Sequence, residues 1–227
     1  MHPRPTIAPL ALAALAALAL GCDRKAGDLD RGRLVLSEDF SGAAIGEQWA
    51  VGEVVGPPSK GGGHRSPKDR AGHWALRDGA LTTTGERNQP LWLTSPLPEQ
   101  VRIELTARAG SEAGDLKLEV FGDGKRHESG YILILGGWGN SRSIIARKDE
   151  HEKGRVERPG GADTDRDYRM AVVRRDSELR WYIDGRLHLR YDDPEPLRGE
   201  GHRHFAFNNW QSPVAFDDLE IHDLAED

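Results

Sequence analysis

Apolar and polar residues alternate at period two along much of the chain beyond residue 34. Val101, Ile103, Leu105 and Ala107 alternate with Arg102, Glu104, Thr106 and Arg108, and Leu116, Leu118 and Val120 with Lys117 and Glu119. Tyr168, Met170 and Val172, then Leu179, Trp181 and Ile183, repeat the pattern. Strict alternation predicts strands with one packed face and one polar face, as in antiparallel sheets. Tyr131–Leu135 is an unbroken apolar run and predicts a strand buried on both faces. Asp78-Gly79 and Asp184-Gly185 stand between alternating runs, and the positive φ that Asp-Gly accepts predicts two tight hairpins. No stretch of ten or more residues has a helical period, and no internal repeat is visible. The expected fold is all-β, a two-sheet antiparallel sandwich of jelly-roll type.

Loops interrupt this pattern. Gly52–His73 and Lys148–Asp167 are rich in Gly, Pro and charge, and loops of that length in a compact domain are commonly functional. A shorter one runs from Asp192 to His204. Four tryptophans (Trp49, Trp74, Trp92 and Trp181) are expected in the core. Trp138 and Trp210 stand beside Gly or Asn and outside any alternating apolar run, which leaves both core burial and an exposed ligand platform open for them.

The first residues have a different character. Arg4 precedes an Ala/Leu-rich run from Ala8 to Leu20, followed by Gly21-Cys22. This has the pattern of a signal peptide and is too short and weakly flanked to predict a membrane span. Leu-Ala-Leu-Gly-Cys resembles a bacterial lipobox, which implies cleavage after Gly21 and lipidation of Cys22, the one cysteine in the sequence. The expected organisation is a signal peptide at 1–21, a lipid-anchored tether at 22–33 and one domain at 34–227. Such a protein would be exported and anchored to the bacterial cell envelope through its lipid. Without Cys22 the rest of the chain has no thiol, so the domain is held by its apolar core. The net charge of −6 has both signs interspersed. No basic stripe is present to neutralise phosphates, and a nucleic-acid partner is not expected.

Two stretches carry sugar-binding chemistry. After Tyr131–Leu135 the chain reads Gly-Gly-Trp-Gly-Asn-Ser-Arg, placing Trp138 beside the hydrogen-bond donors Asn140 and Arg142. Near the C-terminus, His-Phe-Ala-Phe-Asn-Asn-Trp sets Asn208 and Trp210 at the end of another alternating run. An aromatic face packs against sugar C–H groups, while amide and guanidinium groups bond hydroxyls. If adjacent, the two stretches form one carbohydrate site. Asn208-Asn209 also suits a simple turn, since Asn tolerates a left-handed backbone. The densest ionisable cluster is Asp149-Glu150-His151-Glu152. At strand spacing Asp149 and His151 share a face and are candidates for acid–base work or metal binding, whereas Glu150 and Glu152 are expected to be solvated. Glu128 is the further candidate acid.

The stretches "SEDFSG…IGEQWAV", "WALRDGAL", "LRWYIDGRLHLRY" and "VAFDDLEIHDL" together resemble the concanavalin A-like lectin/glucanase superfamily, over roughly Leu34 to Leu224. Within it the chain is similar to laminin-G-like modules and to 3-keto-disaccharide hydrolase-type domains. The resemblance implies a carbohydrate partner held on a concave sheet face, with a glycoside-cleaving or glycoside-modifying enzyme as the first alternative and a non-catalytic interaction module as the second. It also implies a structural calcium near the terminal strands, for which Asp39, Asp217 and Asp218 are the candidate ligands, beside Glu38. The paired acids of laminarinase-type enzymes, E-x-D-x-x-E on one strand, do not occur here.

Overall fold

In the computed structural model the described residues are 31–53, 74–85 and 87–225. They form fifteen strands: β1 (Arg33–Glu38), β2 (Trp49–Val51), β3 (Trp74–Arg77), β4 (Ala80–Thr83), β5 (Leu91–Leu93), β6 (Val101–Ala109), β7 (Leu116–Gly122), β8 (Tyr131–Gly136), β9 (Arg142–Arg147), β10 (Val156–Pro159), β11 (Asp167–Arg175), β12 (Glu178–Ile183), β13 (Arg186–Asp192), β14 (His204–Asn208) and β15 (Val214–Asp223). An eight-stranded sheet runs β13-β12-β11-β6-β15-β4-β3, with β1 also paired to β15, and a seven-stranded sheet runs β10-β9-β8-β7-β14-β5-β2. Every pairing between these strands is antiparallel. Cys22 and most of the loop expected at Gly52–His73 lie outside the described residues.

The period-two pattern sets the faces. Val101, Ile103, Leu105 and Ala107 of β6 and Leu116, Leu118 and Val120 of β7 are at most 3 % exposed and meet in one core between the sheets. Trp49, Trp74 and Trp181 join them as expected. Trp92 is buried too, but it is absent from that core. Its strand neighbours Leu91 and Leu93 point inward, so by alternation Trp92 lies on the outer face of the seven-stranded sheet, against Gly122. Both Asp-Gly hairpins form, β3–β4 and β12–β13, with φ of 53° and 77° at Asp78 and Gly79 and of 51° and 75° at Asp184 and Gly185. Two positive φ values in succession give a turn whose twist matches the strands it joins.

The tract from Lys148 to Asp167 is not one loop. Val156–Pro159 forms β10 and pairs with β9, adding an edge strand that its charged, proline-containing sequence concealed. Strand β8 lies between β7 and β9. Tyr131, Leu133 and Leu135 enter the core, while Ile132 and Ile134 pack with Ile144 and Ala146 of β9 in a second cluster on the outer face. A strand buried on both sides explains why its apolar run is unbroken.

Candidate functional site

The outer face of the seven-stranded sheet carries polar chemistry at its centre. Alternation along β7 turns Lys117 and Glu119 to this face, and the register of β14 sets Asn208 beside Lys117. All three side chains are fully buried. Two segments fold back over them. The connection between β7 and β8 brings His127, whose Nδ1 lies 2.7 Å from Glu119 Oε1. The connection after β9 brings Glu150, whose Oε1 is 2.7 Å from Lys117 Nζ and 3.2 Å from His127 Nε2. Asn208 Nδ2 donates to Glu119 Oε1 at 2.7 Å, the Glu128 backbone N–H donates to Glu119 Oε2 at 3.1 Å, and Lys117 Nζ donates to Asn88 Oδ1 at 2.6 Å. The result is a continuous chain, Asn88–Lys117–Glu150–His127–Glu119–Asn208, buried at Lys117, His127, Glu119 and Asn208 and half-buried at Asn88 and Glu150.

Its electrostatics follow from burial against pairing. Burial alone would favour neutral groups. Burial pulls His127 down, but its hydrogen bonds to Glu119 and Glu150 outweigh that, and the imidazole is pushed up to about 9. Burial pushes Glu150 up, yet His127 and Lys117 together hold it at about 2. Burial lowers Lys117, and the charges of Asp115 and Glu150 reverse the direction. Asp115 differs. It stands 3.5 Å from the ammonium, too far to offset its own burial, and its carboxyl is raised. At neutral pH Lys117, His127 and Glu150 are therefore all charged, locked to one another in place of water.

The two predicted platforms stand at one end of this network. Asp115, at the entry to β7, receives the link from both sides: its N–H donates to Gly136 O at 3.0 Å, and its carboxylate accepts from the Trp210 backbone. Trp138 follows Gly136 through a left-handed turn, with φ of 51° at Trp138, 66° at Gly139 and 62° at Asn140. Such a run suits glycine, and at Gly139 it turns the chain sharply enough to lift Trp138 out of the sheet. Trp138 and Trp210 are 36 % and 45 % exposed, where the four other tryptophans are buried. Arg155 lies 4.8 Å and Arg142 5.8 Å from the Trp138 ring, His151 meets its edge at 5.6 Å, and Arg87 lies 5.7 Å from Trp210. Glu157 holds Arg155 and Arg142 in place at 2.9 and 3.4 Å.

Several residue expectations change. Asn140 is no ligand donor: its Oδ1 accepts from Ala162 N and its Nδ2 donates to Ala162 O, both at 2.7 Å, so the amide braces the Trp138 turn against the next loop. Asn208 is neither a turn nor a ligand contact. It ends β14 with its amide held under the network. The roles expected in the acidic cluster are reversed. Asp149 turns its Oδ1 to the His151 N–H at 2.8 Å, a local cap in an exposed loop, and His151 packs on Trp138, so the two form no acid–base pair. Glu150 is the group turned inward, with its side chain 13 % exposed, and Glu152 accepts from the Arg147 backbone. Glu128 Oε1 accepts from the Glu150 backbone at 3.0 Å, which ties the two covering segments together. Lys117 and Glu119 were missed because a polar residue alternating in a strand reads as solvated, and Asp115 and His127 because they lie in the connections on either side of β7. The signal present was their neighbourhood, with two folding-back segments, one rich in His and Glu and the other in Asp, Glu and His.

The carboxylates near the terminal strands are engaged locally. Asp39 Oδ1 accepts from the N–H and hydroxyl of Ser41, Asp217 Oδ1 accepts from Asp218 N at 2.7 Å, and Asp218 Oδ2 accepts from Thr106 at 3.3 Å. Asp217 sits where the β15 register shifts, as a bulge requires. Burial raises the Asp217 carboxyl, and the nearby charges of Asp218 and Asp39 add to that. Among the described residues a different trio gathers three donors within 4.8 Å, Glu104, Glu220 and His222 on the eight-stranded sheet. Arg102 is bonded to Glu104, and Arg31 lies 3.8 and 3.9 Å from the two carboxylates, so protein cations already occupy that position.

No family model matches the sequence, and neither does any curated protein. Solved structures do match. The carbohydrate-binding module CBM66 of Bacillus subtilis superposes with a TM-score of 0.58 at 13 % identity, over 78 % of this chain and 96 % of that one. LamA of Z. galactanivorans, crystallised with laminaritriose and laminaritetraose, gives 0.59 at 12 % identity over 86 % and 100 %. The β-glucanase of Bacillus licheniformis gives 0.58 at 11 % over 86 % and 99 %. The fold is concanavalin A-like. Identities this low speak for the concanavalin A-like sandwich and for nothing finer.

Proposed function

We propose that the chain binds carbohydrate on the outer face of the seven-stranded sheet, at the end where Trp138 and Trp210 flank Asp115. The observation that carries this reading is the placing of the two exposed tryptophans about Asp115, at one end of a sheet face whose centre holds the charged Lys117, His127 and Glu150. Exposed aromatic rings edged by guanidinium groups are suited to a sugar: the rings take its C–H face, and Arg87, Arg142 and Arg155 bond its hydroxyls. The network beneath supports them by fixing β7, β14 and the two covering segments, so the rings are pre-positioned and little ordering is needed on binding. CBM66 and LamA, similar in fold, are a carbohydrate-binding module and a protein crystallised with laminarin oligosaccharides.

Two of the network's acids, Glu150 and Glu119, are unsuited to glycoside cleavage, while Asp115, whose carboxyl burial raises, stands between the two tryptophans and keeps cleavage as the second reading. A general acid at neutral pH needs a carboxyl near that pH within reach of substrate. Glu150 is held far below it, and Glu119 is fully buried with both oxygens accepting hydrogen bonds. The direct test is a screen of the purified domain against an array of β-glucans, fructans and mucin-type glycans. Saturable retention of at least one class is expected, and no retention of any glycan would end the proposal.

The same proposal includes export and lipid anchoring through Cys22, in keeping with the leader pattern. Cys22→Ser is expected to move the protein from the detergent phase to the aqueous phase on fractionation. Unchanged partitioning would remove the anchor from the account.

A further inference from the structure

A cavity of about 280 Å³ lies away from the two exposed tryptophans. It is bordered by Leu97, Phe121, Arg174, Arg198, His202 and Arg203. Arg174 is 1 % exposed. The other buried cationic or imidazole side chains among the described residues each have a carboxylate partner: Arg102 has Glu104, Lys117 has Glu150, His127 has Glu119 and His222 has Glu220. Arg174 has none. Its guanidinium donates to two carbonyl oxygens, Leu197 O at 2.9 Å and Asp176 O at 3.4 Å, and stacks 3.9 Å from the centre of the Phe121 ring. A buried guanidinium cannot shed its proton, and the carboxylates that act on it, Glu99 and Asp193, do so from a distance without a direct ion pair.

Three further features converge on this cavity. Phe121 has φ of 58° at a shift in the β7–β14 register, a conformation an aromatic residue adopts only when its surroundings impose it. That strain is what brings its ring over Arg174. His202 Nδ1 is buried and has no hydrogen-bond partner. Arg198 and Arg203 add two more cations at the border, against Glu99, which pairs with Arg198 at 2.8 Å, and Glu200. Three guanidinium groups thus face two carboxylates, one of them already engaged.

We propose that this cavity binds a single oxyanion, a carboxylate or sulfate group, with Arg174 as its fixed cation and His202 and Arg203 as the adjoining donors. The planar fork of Arg174 suits two parallel bonds to such a group. The volume lies just below the roughly 300–1,000 Å³ of ordinary ligand cavities, enough for a free anion or for the charged substituent of one sugar ring.

The test follows the melting temperature and isothermal titration of the whole chain at constant ionic strength, with sodium chloride as the balancing salt. Sulfate, acetate, glucuronate and the neutral methyl glucoside are the probes. A saturable rise in melting temperature with oxyanions, none with the glucoside, is expected. Binding of glucuronate beyond acetate and sulfate would assign the anion to a sugar, and equal binding would assign it to free anions. Arg203→Ala should weaken the effect on the order of tenfold. Arg174→Met should abolish it while circular dichroism shows the domain still folded, and Arg203→Ala reads the same site without touching the hydrogen bonds of Arg174. Trp138→Ala and Trp210→Ala should leave it unchanged, which separates this cavity from the carbohydrate face. No oxyanion effect beyond chloride in the unaltered chain, or an effect indifferent to both arginine substitutions, would overturn the proposal.

Discussion

His127 is the residue on which the buried network turns. It bridges Glu119 and Glu150 only as an imidazolium, and those two bonds push it up to about 9 from an ordinary 6.5. A group raised in the folded state stabilises fully below its unfolded value, and that stabilisation fades as pH climbs through the folded one. Glu150, lowered from 4.5 to about 2, behaves in the opposite sense and loses its contribution as pH falls below 4.5. The two are both fully present between about pH 4.5 and 6.5. Urea unfolding of the unaltered domain should lose stability between pH 6.5 and 9, on the order of 3 kcal/mol. His127→Gln should be less stable at pH 6 and show little of that slope. Parallel pH profiles for the two proteins would mean that the imidazole is neutral in the fold. At this scale the sequence was legible where burial follows from chemistry alone: Trp49, Trp74 and Trp181 reached the core, whereas the exposure of Trp138 and Trp210 was decided by the structure. It misled where burial depends on what lies above. Asp149 and Glu150 are neighbours of the same kind, and only the path of the covering segment decides which one turns inward.

At the scale of elements the alternation and turn signals were strong because they are local. Asp184-Gly185 adopts the two positive φ values its chemistry allows and joins β12 to β13. A Cβ on Gly185 would meet nothing within 4 Å, so any cost of a side chain there is conformational and not steric crowding. Gly185→Val should therefore destabilise by about 1–2 kcal/mol, and Gly185→Asn by much less, since Asn accepts a left-handed backbone. Equal melting temperatures for the two variants would show that the turn does not constrain φ. Strand β10 was not legible for a related reason. Its residues are charged and end in proline, and it is a strand because β9 offers an unpaired edge, not because Val156–Pro159 favours extension. The outward residues of β7 read as solvated on pattern alone, since alternation tells one face from the other and cannot tell whether the polar face is wet.

The whole molecule is a two-sheet sandwich whose seven-stranded sheet is buried on both faces around β8, with apolar residues on β8 and β9 giving way to charged ones on β7. That gradient ends at Trp138 and Trp210, where the face opens to solvent. The central claim is that these two rings hold a sugar and do not hold the fold. The most direct measurement compares glycan affinity and melting temperature for the unaltered domain, Trp138→Ala and Trp210→Ala, using whichever glycan the array retains. Each substitution should weaken binding by about tenfold, a stacking contact on the order of 1–2 kcal/mol, with the melting temperature nearly unchanged. A large fall in melting temperature, of the kind that loss of ~3–5 kcal/mol from a core tryptophan brings, with affinity unaltered in the folded fraction, would contradict it.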